Sequence, residues 1–107
     1  MKMDIKFSSE GTTLEAFFTG ELDHHGARNA REKTDIMLNM GVYNRLVLDF
    51  TGLTFMDSSG ISLIMGRVKL LEALGGKVKV ISPGERISRI IKMCGVDKYA
   101  ELEERKV

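Results

Sequence analysis

Apolar and polar residues alternate at the start of the chain, where Met3, Ile5 and Phe7 interleave with Asp4 and Lys6. A period of two is the mark of a half-buried strand. Ser8-Ser9-Glu10-Gly11 reads as a turn and Thr12 to Thr19 as a second strand, so the short link predicts an antiparallel hairpin. Gly20-Glu21-Leu22-Asp23 reads as a loop. Asp23 is a suitable N-cap for a helix reaching about Met40 and stopped by Gly41. Ala27, Ala30, Thr34, Met37 and Leu38 form its inner face, while Arg28, Arg31, Glu32 and Asp35 face water.

Leu46 to Phe50 is nearly all apolar, as expected of a central strand covered on both faces. A helix follows from about Ser59 to Leu74, with Ile61, Ile64, Met65, Val68 and Leu71 on one face and Gly75-Gly76 at its end. Val78, Val80 and Ile81 mark the next strand. Ser82-Pro83-Gly84-Glu85 has the form of a capping box with proline at the first helical position. Ile87, Ile90, Ile91 and Cys94 form that helix's buried stripe, and Gly95 ends it. Val96 to Leu102 fits a short helical turn followed by an edge strand near Ala100–Leu102, and Glu103–Val107 reads as a solvated tail. Strands separated by helices require parallel crossovers. The expected fold class is therefore α/β: a mixed, mostly parallel sheet opened by an antiparallel hairpin, with helices packed against it, in one domain spanning residues 1–107.

A formal net charge of +1 gives no overall field to hold nucleic acid. Cys94 is the only cysteine, so no internal disulfide forms. No apolar run reaches the length of a signal peptide or a membrane span. The expectation is a soluble cytoplasmic protein.

Several groups invite a chemical reading. Ser58 and Ser59 adjoin Asp57, and His24 or His25 offers a base, but a serine hydrolase also needs an oxyanion hole, and the Gly-x-Ser-x-Gly elbow is missing. Two adjacent histidines and one cysteine are a poor ligand set, so no metal site is expected. Gly60 and Gly66-Arg67, separated by five residues on a helix, lack the Gly-Lys-Ser/Thr ending of a P-loop, and Gly66 reads as a point of close helix packing. Asp23 caps a helix or, with Glu21, meets a basic group on a partner. Asp57-Ser58-Ser59-Gly60 lies where a helix begins, and a serine there either caps the helix or carries a phosphate that the helix dipole favours.

Gly20-Glu21-Leu22-Asp23-His24-His25, then Phe55-Met56-Asp57-Ser58-Ser59-Gly60, then Met65-Gly66-Arg67, Gly75-Gly76 and Ile81-Ser82-Pro83, together resemble the STAS-domain anti-sigma factor antagonists, in particular their sporulation branch. The resemblance implies a regulator with no catalytic activity of its own. Ser58 would be the phosphoacceptor of an anti-sigma factor that is also a serine kinase. The unphosphorylated form would bind that kinase and free the sigma factor. A phosphoserine phosphatase would reset the cycle. The resemblance assigns partner contact to Glu21, Asp23, His24, Asp57, Ser59 and Gly60. It implies no cofactor, the ATP and Mg²⁺ belonging to the kinase. The chain departs from the family at Ser62, where a glycine is usual, and in its short tail. The alternative is a STAS module that binds a small ligand such as a nucleotide, or another signalling partner.

Overall fold

A computed structural model of the chain describes residues 3–105. The expected hairpin consists of β1 (Met3–Glu10) and β2 (Thr13–Leu22), antiparallel with Ile5 opposite Phe18. Helix α1 (His24–Asn39) leads to β3 (Arg45–Met56), α2 (Ser58–Ala73) to β4 (Lys77–Ser82), and α3 (Glu85–Met93) with a 3-10 turn at Val96–Lys98 to β5 (Glu101–Glu104). The strand order is β1-β2-β3-β4-β5, and every pair after the hairpin is parallel. This is the mixed, mostly parallel sheet expected from the alternation of strands and helices.

Register explains the core. Leu14 pairs with Leu46 and Ala16 with Leu48, and these in turn pair with Val78 and Val80, so one face of the sheet is continuously apolar. Ala30 and Leu38 of α1 and Ile64, Val68 and Leu71 of α2 close over it, joined by Ile87 and Ile91 of α3. Phe18 and Phe50 meet edge to face at its centre, with ring centroids 4.9 Å apart. The intervening positions face the other way. There Lys79 bridges Glu101 and Glu103, and Arg105 pairs with Glu103.

Several boundaries differ from expectation. Gly20–Leu22 is strand rather than loop, and β3 continues six residues past Phe50. Two register shifts, between Phe17 and Thr19 and between Gly20 and Glu21, let the longer β3 stay paired with β2. Gly20 takes φ 93°, a left-handed conformation suited to glycine. Ser82 does not cap α3. It ends β4, its hydroxyl bonds that of the buried Ser88, and Gly84 is the N-cap with no side-chain bond. Pro83 consequently precedes the cap. Cys94 is exposed, and Val96 is buried where the helical stripe ends. Glu103 and Glu104 belong to β5 rather than to a tail, while Lys106 and Val107 lie outside the described residues. Gly66 is not a close-packing point, since a Cβ there would meet nothing within 4 Å. No helix among the described residues is long and apolar enough to cross a membrane.

Candidate functional site

Because β2 and β3 are parallel and stay paired, through two register shifts, as far as Leu22 and Met56, the chain leaves both strands at the same edge of the sheet. Each exit is followed by an aspartate that caps a helix. Asp23 accepts a hydrogen bond from the Gly26 amide at 2.8 Å, and Asp57 accepts one from the Ser59 amide at 2.8 Å. Both caps have extended backbone, with ψ of −169° at each. The Asp57 amide donates to the Leu22 carbonyl at 3.4 Å, and the Thr54 hydroxyl donates to the Gly20 carbonyl at 3.2 Å. The result is a pair of helix N-termini braced side by side, with His24 and Ser58 the first helical residue of each.

This arrangement settles which residue caps α2. It is Asp57, and Ser58 stands one residue further on, exposed to solvent. Its hydroxyl sits where unpaired backbone N–H groups and the helix dipole favour negative charge. Glu21 and Asp23 are half-buried at the same edge, Glu21 in register with Phe55, a large apolar side chain left 44% exposed. His24 is exposed, with its ring edge-on to that of His25.

The Gly26 hydrogen bond holds the Asp23 carboxyl below its ordinary value of 3.8, against a smaller opposing effect of desolvation. A depressed folded pKa stabilises the ionised fold above the unfolded value. That contribution should fade as pH falls below about 4 through the lowered value. The Gly26 amide resonance, followed by NMR as the pH is lowered, should report the loss of this cap.

Gly60 is placed differently from the other candidates. It is buried, and a Cβ built there would lie 2.4 Å from Met56 Cγ and 3.2 Å from Leu22 Cδ2. It therefore offers no side-chain surface to a partner. It lets the first turn of α2 sit against the strand ends. Gly60→Ala should lower stability by roughly 1–3 kcal/mol through overpacking, measurable by denaturant unfolding.

One part of this region escaped the sequence reading. Arg28 and Arg31 of α1 and Arg67 of α2 line a groove of about 530 Å³ between the two helices, with His24, Ser59 and Ser62. Asp35 does not simply face water, since its carboxylate lies 2.9 Å from the Arg67 guanidinium. The available signal was Arg67 itself, a charged residue between Ile64 and Val68 on an otherwise apolar face. Among the described residues no three His, Cys, Asp or Glu side chains are grouped as a metal site.

Comparison with known proteins fits this geometry. The STAS domain family matches residues 8–106. The anti-sigma F factor antagonist of Lysinibacillus sphaericus is 34% identical over 99 residues, covering 92% of this chain and 84% of that one. Among solved structures, the anti-sigma factor antagonist SpoIIAA in its unphosphorylated form superposes with a TM-score of 0.82 at 26% identity, over 95% of this chain and 88% of that one. The phosphorylated form of the Bacillus cell fate determinant SpoIIAA gives 0.74 at 26% identity, over 95% and 91%. The chain belongs to the STAS domain family and, within it, to the anti-sigma factor antagonists.

Proposed function

We propose that this STAS domain is a phosphorylation-controlled binding module that antagonises an anti-sigma factor. The unphosphorylated chain binds an anti-sigma factor with serine kinase activity and so releases the sigma factor. Transfer of phosphate from the kinase's ATP to Ser58 ends the complex, and a phosphoserine phosphatase restores it. Glu21, Asp23, His24, Asp57 and Ser59 form the docking edge around the acceptor.

The observation that carries this reading is the exposed Ser58 hydroxyl at the first position of α2, with Asp57 already serving as the cap. The serine is free for chemistry because the helix does not depend on it. A phosphate there brings about −1.5 to −2 charges, part of which the helix start offsets. The fold is thus spared while the interface is not. A dianion beside Asp57, Glu21 and Asp23 repels carboxylates and adds bulk, and tenfold weaker binding needs only about 1.4 kcal/mol. The likeness of this fold to both the phosphorylated and the unphosphorylated forms of SpoIIAA agrees with a local switch.

Incubation with the cognate anti-sigma factor, ATP and Mg²⁺, followed by peptide mass spectrometry, tests the assignment. Phosphate is expected on Ser58. Phosphate on another residue would refute the site, and stable partner binding by the phosphorylated form would refute the switch.

A further inference from the structure

β3 outruns its neighbour on one side. Its pairing with β4 ends at Asp49 and Ile81, whereas its pairing with β2 continues to Met56. Beyond Ser82 the chain turns away through Pro83 and Gly84 into α3. Among the described residues no main-chain hydrogen bond joins residues 51–56 to the segment 83–90. The last six residues of β3 therefore present a bare strand edge where β4 would continue, about 20 Å long at roughly 3.3 Å per residue. A notch of about 280 Å³ lies along that edge, with Leu53, Phe55 and Met56 on one wall and Pro83, Ile87 and Ile90 on the other. Proteins usually guard open edges with charge. The two outer edges of this sheet follow that rule, β1 with Asp4, Lys6 and Glu10 and β5 with Glu101, Glu103 and Glu104. The inner edge, Thr51-Gly52-Leu53-Thr54-Phe55-Met56, carries no charge at all.

We infer that the notch receives an extended segment of the anti-sigma factor, which adds to the sheet as a strand along the free edge of β3. The inference deepens the proposed function and rests on it. An unpaired run of backbone donors and acceptors is matched by another extended backbone, and by neither a helix nor a small molecule. Alternate side chains of the added strand enter the apolar notch and cover Phe55, left 44% exposed. The opposite wall sets the charge of the segment. Gly84 caps α3 without a side-chain bond, so the first N–H groups of the helix remain open, and Arg86 beside them enters no ion pair among the described residues. Glu85 is already held by Arg89 at 2.9 Å. An acidic residue in the segment fits that end of the notch. Met56 is followed directly by the cap Asp57 and the acceptor Ser58, so strand addition fixes the kinase in register with the hydroxyl it modifies.

Amide hydrogen exchange of the ¹⁵N-labelled chain tests this, free and bound to its cognate anti-sigma factor with ADP in place of ATP so that no phosphate is transferred. Strand addition slows every second amide across residues 51–56 by about tenfold or more and gives NOEs from these residues to the partner's backbone, while the β1 and β5 edges slow no more than the domain as a whole. G84L adds a side chain where a built Cβ meets nothing within 4 Å, so it fills the notch and should weaken binding about tenfold. R86E reverses the charge of an exposed residue, suits the start of α3, and should weaken binding severalfold. Thermal melting verifies both folds, and R86E decides alone if G84L does not fold. Binding that leaves the edge amides unprotected and without NOEs to the partner, or that neither variant weakens, overturns the inference and spares the proposed function. No binding of the unphosphorylated chain at all overturns both.

Discussion

Ser58→Ala should abolish phosphoryl transfer while the protein keeps its melting temperature to within a few degrees and still binds its partner. The argument follows from the division of labour at the start of α2. The Asp57 carboxylate takes the Ser59 amide at 2.8 Å, and Ser58 lies exposed one position later. Alanine is the best helix former, and surface substitutions of this kind shift stability by no more than about 0.5 kcal/mol. Asp57→Ala, by contrast, removes the cap and should cost about 0.5–2 kcal/mol. The two variants separate chemistry from scaffolding. On the proposed function, loss of Ser58 leaves an antagonist that phosphorylation does not switch off, so sigma-dependent transcription should become constitutive. Mass spectrometry of the variant after incubation with kinase and ATP provides the check. Phosphate on Ser58→Ala would move the acceptor elsewhere, and a large drop in melting temperature would return the capping role to Ser58.

The layout of the sheet was legible because its signals are periodic. Alternation at Met3–Phe7 and the apolar run Leu46–Phe50 identified strands, and Asp23 was read correctly as a helix start. What the pattern hid lies where periodicity breaks. The two register shifts disrupt alternation over Thr51–Met56, so half of β3 read as connecting chain. Those same residues carry Ser58 to the sheet edge. Ser82-Pro83-Gly84-Glu85 satisfied the pattern of a capping box, but tertiary packing drew the Ser82 hydroxyl to Ser88. The candidate site was legible as a motif, and its members do assemble at one edge, except that Gly60 turns inward. The arginine groove was invisible because its residues are thirty or so positions apart and only the packing of α1 on α2 unites them.

Glu21→Gln with Asp23→Asn should weaken partner binding about tenfold and flatten its salt dependence, with little change in stability. Asp23 does cap α1, through the Gly26 amide. Asparagine serves as an N-cap about as well as aspartate, so this substitution removes charge and keeps the hydrogen bond. Glu21, half-buried at the end of β2, holds the neighbouring position on the same edge as Ser58. Two carboxylates beside Ser58 would complement a basic group on the partner of the proposed function, and such charges govern association rate and specificity. Loss of one good charge pair accounts for about 1.4 kcal/mol, which is tenfold in affinity. Screening makes the effect largest at low salt and smaller near 1 M, where the Debye length falls to about 3 Å. Asp23→Ala supplies the contrast, since it removes cap and charge together and should lower the melting temperature as well as the affinity. Affinity by calorimetry and stability by thermal melting, measured on the same preparations, separate the two roles. If the double variant binds as tightly as the parent at low salt, Glu21 and Asp23 act within the fold alone, and the docking surface must be sought around His24, Ser59 and the exposed Phe55.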